Sequence, residues 1–248
     1  MLFNETKSKE LPTIILLHGG GLSNWALKYV VELLQADYNV VTPIIDGYGE
    51  NSSNDFVSIE DSAMKLVEYI EQEHNGKVFA LGGLSIGAQI VTEALTQSKD
   101  IANFAILESA LVLPVRGTKA LTIPTLKLCY GLIKMKWFAK LQSKYLCVPK
   151  TMFEQYYTDS LKISKQTLIN TAFSNGTYTL KTNIEKTKTK VLIIVGEKEI
   201  GIMRKSANLL NDKIPNRELF ISQKMGHGEL SMSYPVEYVR IIKEFFAK

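Results

Sequence analysis

The sequence predicts an α/β fold: a mainly parallel sheet with helices on both faces, plus an inserted helical cap. Three observations carry this expectation. Short continuous apolar runs, the mark of strands buried on both sides, recur along the chain. Stretches with helical spacing separate them, and strand–helix alternation of this kind builds a parallel sheet. Between Ala110 and Lys188 the alternation stops, and buried-strand patterning resumes only at Lys190.

The first run, residues 13–17, ends in His18 and three glycines, and residues 24–35 then place Leu27, Val30, Val31 and Leu34 at helical spacing. Residues 40–45 read as a second strand, closed by Asp46-Gly47-Tyr48-Gly49. Ser58 is a helix N-cap with Asp61 three residues on, and Ile59, Ala63, Leu66, Val67 and Ile70 share one face behind it. Residues 78–81 form a third strand running into a glycine-rich turn, 88–95 a helix, and 104–107 a fourth strand. Residues 110–188 hold helical stretches separated by Pro114, Pro124, Pro149 and Asn175-Gly176. Strands follow at 190–195 and 217–222, and 236–246 closes the chain as a helix with Val239, Ile242, Phe245 and Phe246 on one side. The expected organisation is a core of residues 1–109 and 189–248 with a cap of residues 110–188. No internal repeat is visible.

Composition narrows the function classes. A chain of 248 residues fits one large domain, or one with an insertion, and buries enough surface to need neither metal nor disulfide. Its net charge of +4 is too mild to argue for nucleic acid. Two cysteines exclude a disulfide scaffold and four-cysteine zinc sites; Cys129 and Cys147 read as buried apolar fillers. The first ten residues carry no apolar stretch of signal-peptide length. The longest nearly apolar run, 101–115, is broken by Asn103, Glu108 and Ser109 and is too short to span a bilayer. The expectation is a soluble, cytoplasmic protein without a metal or cofactor.

The strongest chemical signal is Gly83-Leu84-Ser85-Ile86-Gly87 between a strand and a helix. A serine hydroxyl becomes a good nucleophile only when it is exposed, deprotonated by a base and close to donors for the developing oxyanion. A sharp strand-to-helix turn exposes it, glycines on either side relieve the crowding, and the helix N-terminus aims N–H groups at the site. Three histidines could supply the base. His74 ends a polar helix and reads as solvated, and His18 reads as shaping its glycine loop. His227, in Met225-Gly226-His227-Gly228 after the last strand, is the expected general base. The carboxylate that orients it should lie between serine and histidine in the chain. Glu199 is preferred, with Glu197 and Glu108 as alternatives.

On these motifs the sequence resembles the α/β-hydrolase superfamily over about residues 12–109 and 189–247. Leu17-His18-Gly19-Gly20 resembles the oxyanion segment of that superfamily, which implies the backbone N–H groups of Gly20 and Ile86 as the oxyanion hole. Asp46-Gly47-Tyr48-Gly49 resembles a shortened structural turn of the superfamily. Gly196-Glu197-Lys198-Glu199 resembles its acid turn, with Glu where Asp is usual. Dehalogenases and epoxide hydrolases of this kind use an aspartate nucleophile, so Ser85 implies acyl transfer. The implied activity is hydrolysis of carboxylic esters with a hydrophobic acyl group through an acyl-enzyme.

The cap bears on the partner. Between Ser109 and Phe153 there is no acidic residue, while Arg116, Lys119, Lys127, Lys134, Lys136, Lys140, Lys144 and Lys150 are interleaved with Tyr130, Trp137, Phe138 and Tyr145. Three readings stay open: peripheral contact with anionic lipid, attraction of an anionic substrate, or a solvated lysine face. The second would suit a thioesterase, lactonase or lyase using the same residues. A proline-releasing peptidase would need an acidic anchor that this stretch lacks, and a non-catalytic ligand-binding homologue is a further alternative.

Overall fold

The computed structural model describes residues 1–3 and 10–248. The N-terminal stretch read above for a leader falls mostly on residues 4–9, outside the described residues. Six strands, β1 (Thr13–Leu17), β2 (Asn39–Val41), β3 (Val78–Leu84), β4 (Ala102–Glu108), β5 (Lys190–Gly196) and β6 (Arg217–Ser222), form one sheet in the order β2-β1-β3-β4-β5-β6. All neighbouring strands are parallel. The order reverses between β1 and β3, and open parallel sheets bind ligands at such a switch point, beyond the carboxyl ends of the strands.

Helices α1 (Lys28–Leu34), α2 (Ile59–Glu73) and α3 (Ile86–Gln97) alternate with the first four strands. Between β4 and β5 the chain forms α4 (Thr118–Cys129), α5 (Lys136–Tyr145), α6 (Phe153–Lys162) and α7 (Lys165–Thr177). Helix α8 (Gly201–Lys213) joins β5 to β6, and α9 (Glu229–Ser233) and α10 (Pro235–Phe246) follow β6. The alternation of strand side chains sorts the core into two layers. Ile14, Leu16, Ala80, Ile106, Leu192 and Ile194 pack with α1 and α10. Their neighbours Ile15, Leu17, Leu81, Leu107 and Ile193 pack with α2, α3 and α8 on the other face. Every one of these strand residues is nearly or fully buried, which explains why the runs are continuously apolar.

The structure corrects several local expectations. Strand β2 stops at Val41 instead of continuing to Ile45, because Pro43 has no N–H for the ladder; Ile44 makes only an isolated antiparallel bridge to Leu2. Pro124 lies inside α4. It forfeits the bond to the Ala120 carbonyl, and Ala120 is exposed, so water can take that carbonyl instead. Asn175 and Gly176 lie inside α7, where a Cβ on Gly176 would sit 2.6 Å from Thr118 Oγ1, so glycine permits the close approach of α7 to α4. Helix α8 adds to the elements read from the sequence, with Met203, Ala207 and Leu210 supplying its buried face at helical spacing. His74 is half-buried against the ring of Tyr69.

The helical segment between β4 and β5 is fastened through α6 and α7. Trp25 Nε1 donates to Asp159 Oδ2 at 2.9 Å, and Asn170 Nδ2 donates to the Phe56 carbonyl at 2.7 Å. The Phe56 N–H donates to Thr167 Oγ1 at 3.2 Å, and the Tyr178 hydroxyl donates to Glu93 at 2.9 Å. By contrast α4 buries no residue, and α5 buries only Ala139 and Ser143. Among the described residues no helix is long and apolar enough to cross a membrane.

Strand β4 ends on a buried carboxyl. Glu108 is 2% exposed, and its Oε1 accepts from the Ser231 N–H in the first turn of α9 at 3.2 Å. Burial raises its pKa from the ordinary 4.5 to about 7, with the Ser231 contacts opposing. The unfolded chain releases this proton near the ordinary value, while the folded chain keeps it until about pH 7. Folding therefore becomes less favourable as pH rises through that window and levels off above it. Glu108→Gln keeps the acceptor and removes the titration. Urea unfolding should show it more stable than wild type near neutrality, by about 1–3 kcal/mol relative to its effect near pH 4.5. An equal effect at both pH values would contradict this account.

Candidate active site

Ser85 stands at the switch point, between the last residue of β3 and the first of α3, with φ 56° and ψ −116°. A left-handed φ is costly for a residue with a Cβ, so the surroundings must hold it there. The Ser85 N–H donates to the Glu108 carbonyl at 2.9 Å, and the Ser85 carbonyl accepts from the Gln89 N–H at 3.0 Å. The flanking glycines follow from close contact. A Cβ on Gly83 would lie 2.3 Å from the Gly87 carbonyl carbon, and one on Gly87 would lie 2.6 Å from the His18 carbonyl oxygen. The turn can therefore close only without side chains at these two positions.

Ser85, His227 and Glu199 meet at this turn, although they are far apart in sequence. His227 Nε2 is 3.0 Å from Ser85 Oγ, and its Nδ1 is 2.8 Å from Glu199 Oε2. Glu199 Oε1 accepts from the Gly196 N–H and from Ser109 Oγ, each at 2.8 Å. Burial works to raise the Glu199 pKa, but the hydrogen bonds and charge of His227, with those from Gly196 and Ser109, outweigh it and hold the carboxyl below its ordinary value. Glu199 closes a turn on its own strand end, its N–H donating to the Gly196 carbonyl at 3.1 Å, and its longer side chain reaches both the Gly196 N–H and His227. The other two acids have different partners. Glu197 is exposed and accepts from the Lys224 N–H at 2.7 Å, and Glu108 accepts from Ser231.

The remaining residues singled out in the sequence divide between wall and scaffold. Gly20 and Ile86 line the cavity beside Ser85, and Ile86 opens α3, where N–H groups lack helical acceptors. His18 is fully buried. Its Nε2 accepts from the Ile45 N–H at 3.1 Å, and its Nδ1 lies 2.9 Å from the Gly19 carbonyl. Burial pushes its pKa down to about 4, so it is neutral and braces the glycine loop. The Asp46 carboxylate ties its turn to the N-terminal ammonium at 2.6 Å, Asn51 at 2.7 Å and Lys65 at 2.8 Å. Cys129 and Cys147 are half-buried free thiols, not the buried fillers expected; Cys147 forms part of the cavity wall.

Some contributors were not identified in the sequence. Ser109, at φ 56°, both donates to Glu199 and accepts from the Gly228 N–H at 3.2 Å. Tyr48 lines the cavity with its hydroxyl 2.8 Å from Thr171 Oγ1. The position of Ser109 directly after a strand, at the same sheet edge as Ser85, was the only local signal; the Tyr48–Thr171 pair had none. Among the described residues no group of three or more His, Cys, Asp or Glu side chains gathers as metal ligands would.

The cavity over Ser85 holds about 770 Å³, within the range of small-molecule sites. The segment between β4 and β5 supplies much of its wall, including Leu126, Ile133, Leu146, Ile163 and Leu168. None of the eight basic residues between Ser109 and Phe153 lines it; among the described lining residues Lys198, exposed, is the basic one. A serine hydrogen-bonded through an imidazole to a buried carboxylate, opening on an apolar cavity, can pass its proton to the imidazole as it attacks a carbonyl.

Comparison with known proteins agrees with this architecture. The chain is similar over 99% of its length to MenH from S. aureus (17% identity, 98% of that chain covered, TM-score 0.81). It is similar over the same share to an esterase from Exiguobacterium antarcticum (18% identity, 95% covered, TM-score 0.80). An enol-lactonase from Burkholderia xenovorans LB400 is likewise similar (11% identity, 96% covered, TM-score 0.81). At these identities the likeness establishes the α/β-hydrolase fold. No curated protein matches the chain significantly. The family model described as serine aminopeptidase, S33, matches residues 8–231. On that match the chain belongs to the S33 serine aminopeptidase family of α/β-hydrolases.

Proposed function

We propose that the protein is a serine hydrolase that cleaves carboxylic esters with a hydrophobic acyl group, with residues 110–188 acting as a cap over the acyl chain. The observation that carries this reading is the hydrogen-bonded chain from Ser85 through His227 to Glu199, opening on an apolar cavity. In this reading Ser85 Oγ attacks the ester carbonyl while His227 Nε2 takes its proton. The N–H groups of Gly20 and Ile86 hold the oxyanion. His227 then protonates the departing alkoxide, leaving the acyl group on Ser85. Water, activated by the same imidazole, releases the acid and restores the serine. Glu199, held ionised by its partners, fixes the imidazole with Nδ1 protonated and stabilises its charged form.

The competing readings find less support. An anionic substrate would call for cations along the wall, and the basic residues of the cap lie elsewhere. A peptidase would need a carboxylate for the substrate amine. The two acids on the described wall are Glu199, bonded to His227, and Glu229, whose Oε2 accepts from the Gly226 N–H at 2.7 Å.

Hydrolysis of p-nitrophenyl esters from acetate to palmitate tests the proposal. Wild type should cleave them with a preference for chains longer than acetate, and Ser85→Ala should fall to background. Turnover unchanged in Ser85→Ala would sink the mechanism. The acid assignment has its own comparison: Glu199→Gln should lower kcat on the order of 10³- to 10⁴-fold, while Glu197→Gln should stay near wild type. The reverse ranking would move the role to Glu197.

A further inference from the structure

Helix α5 carries two exposed stripes. At about 100° per residue, Lys136, Lys140 and Lys144 occupy one arc of its surface, and Trp137, Leu141 and Tyr145 the adjacent arc. The buried pair, Ala139 and Ser143, lies opposite the apolar arc, so Trp137 and Leu141 point away from the protein body. Trp137 is 60% exposed, Leu141 61% and Tyr145 71%. Solvated lysine faces do not require an aromatic and a leucine beside them, and a projecting apolar stripe signals a contact surface. The stripe also leads to the candidate site, since Tyr145 at its end lines the cavity, as do Gln142 and Leu146.

Charge selects the occupant. Lys136 pairs with Glu154 at 2.8 Å, whereas Lys140 and Lys144 form no ion pair among the described residues. No acidic residue lies between Ser109 and Phe153, so a second copy docking through this face would set lysines against lysines. An anionic lipid surface satisfies both arcs, taking the aromatic and leucine side chains at the headgroup boundary and the ammonium groups against phosphates. We propose that α5 docks the protein on anionic bilayers, with Trp137 and Leu141 in the interface and Lys140 and Lys144 on headgroup phosphates. The cavity mouth at Tyr145 then faces the lipid. This surface is separate from the proposed chemistry, so it stands or falls independently of the ester-hydrolase reading.

The test is co-sedimentation with vesicles of phosphatidylcholine alone or mixed with phosphatidylglycerol, together with tryptophan emission. Wild type and Ser85→Ala should both pellet with the mixed vesicles and not with the neutral ones, less so as salt rises. Emission should shift to the blue, and Trp137→Phe should abolish the shift, because Trp25 is already half-buried and bonded to Asp159. The double variant Lys140→Glu, Lys144→Glu should lower the vesicle partition constant about tenfold or more, and Leu141→Ser should also lower it. Hydrolysis of soluble p-nitrophenyl acetate should not change in these variants. Failure of wild type to pellet, equal pelleting with neutral vesicles, or wild-type binding by the double lysine variant would overturn the proposal. So would a concentration-dependent dimer that Leu141→Ser abolishes, since a second copy would then cover the stripe.

Discussion

The buried carboxylate of Glu199 joins three pieces of chain that the sheet brings to one edge. Its Oε1 takes the Gly196 N–H at the end of β5 and the hydroxyl of Ser109 just past β4, and its Oε2 takes His227 from the loop after β6. Because Ser109 in turn accepts from the Gly228 N–H, the histidine and the residue after it are tied to the same acid. A buried ionised carboxylate is tolerable only when its lone pairs are filled. Here the bond to His227 also holds the imidazole within reach of Ser85, its Nε2 3.0 Å from the Ser85 hydroxyl.

The sheet supplies the other half of the constraint. Parallel strands end together, and the reversal of order between β1 and β3 leaves a crevice in which the glycine loop after β1 and the sharp turn after β3 face each other. Ser85 pays for its exposure with a left-handed backbone, and Gly83 and Gly87 let the turn close against β1. His18, neutral and buried, keeps the opposing loop in place. Local strain at the serine is thus held by long-range packing, as functional sites commonly require.

Legibility in the sequence followed the range of the interaction. Strands β1, β3, β4 and β5 were visible because burial on both faces demands unbroken apolar runs. Ser85 and His227 were visible because their turns need glycine at fixed offsets. Glu199 is preferred in the sequence over two alternatives; its bond to His227, and the separate partners of Glu197 and Glu108, are tertiary facts. Ser109 has only its place after a strand to mark it, and the Tyr48–Thr171 pair has no mark at all, because each acts on residues distant in sequence. Strand β2 is shorter than its apolar run, which continues past Val41 while Pro43 ends the ladder. The charge of the helical segment is legible, but not its direction: the lysines face outward, Leu126, Ile133 and Leu146 face the cavity, and Trp137 and Leu141 face away from it.

The central claim is that the Glu199–His227 pair activates Ser85 for covalent attack, and covalent labelling tests it most directly. Treatment with a fluorophosphonate, followed by intact-mass and peptide mass spectrometry, should give one adduct on Ser85 in wild type and none in Ser85→Ala. The Glu199→Gln protein should label far more slowly. An adduct on another residue, or labelling of Glu199→Gln at the wild-type rate, would contradict the account.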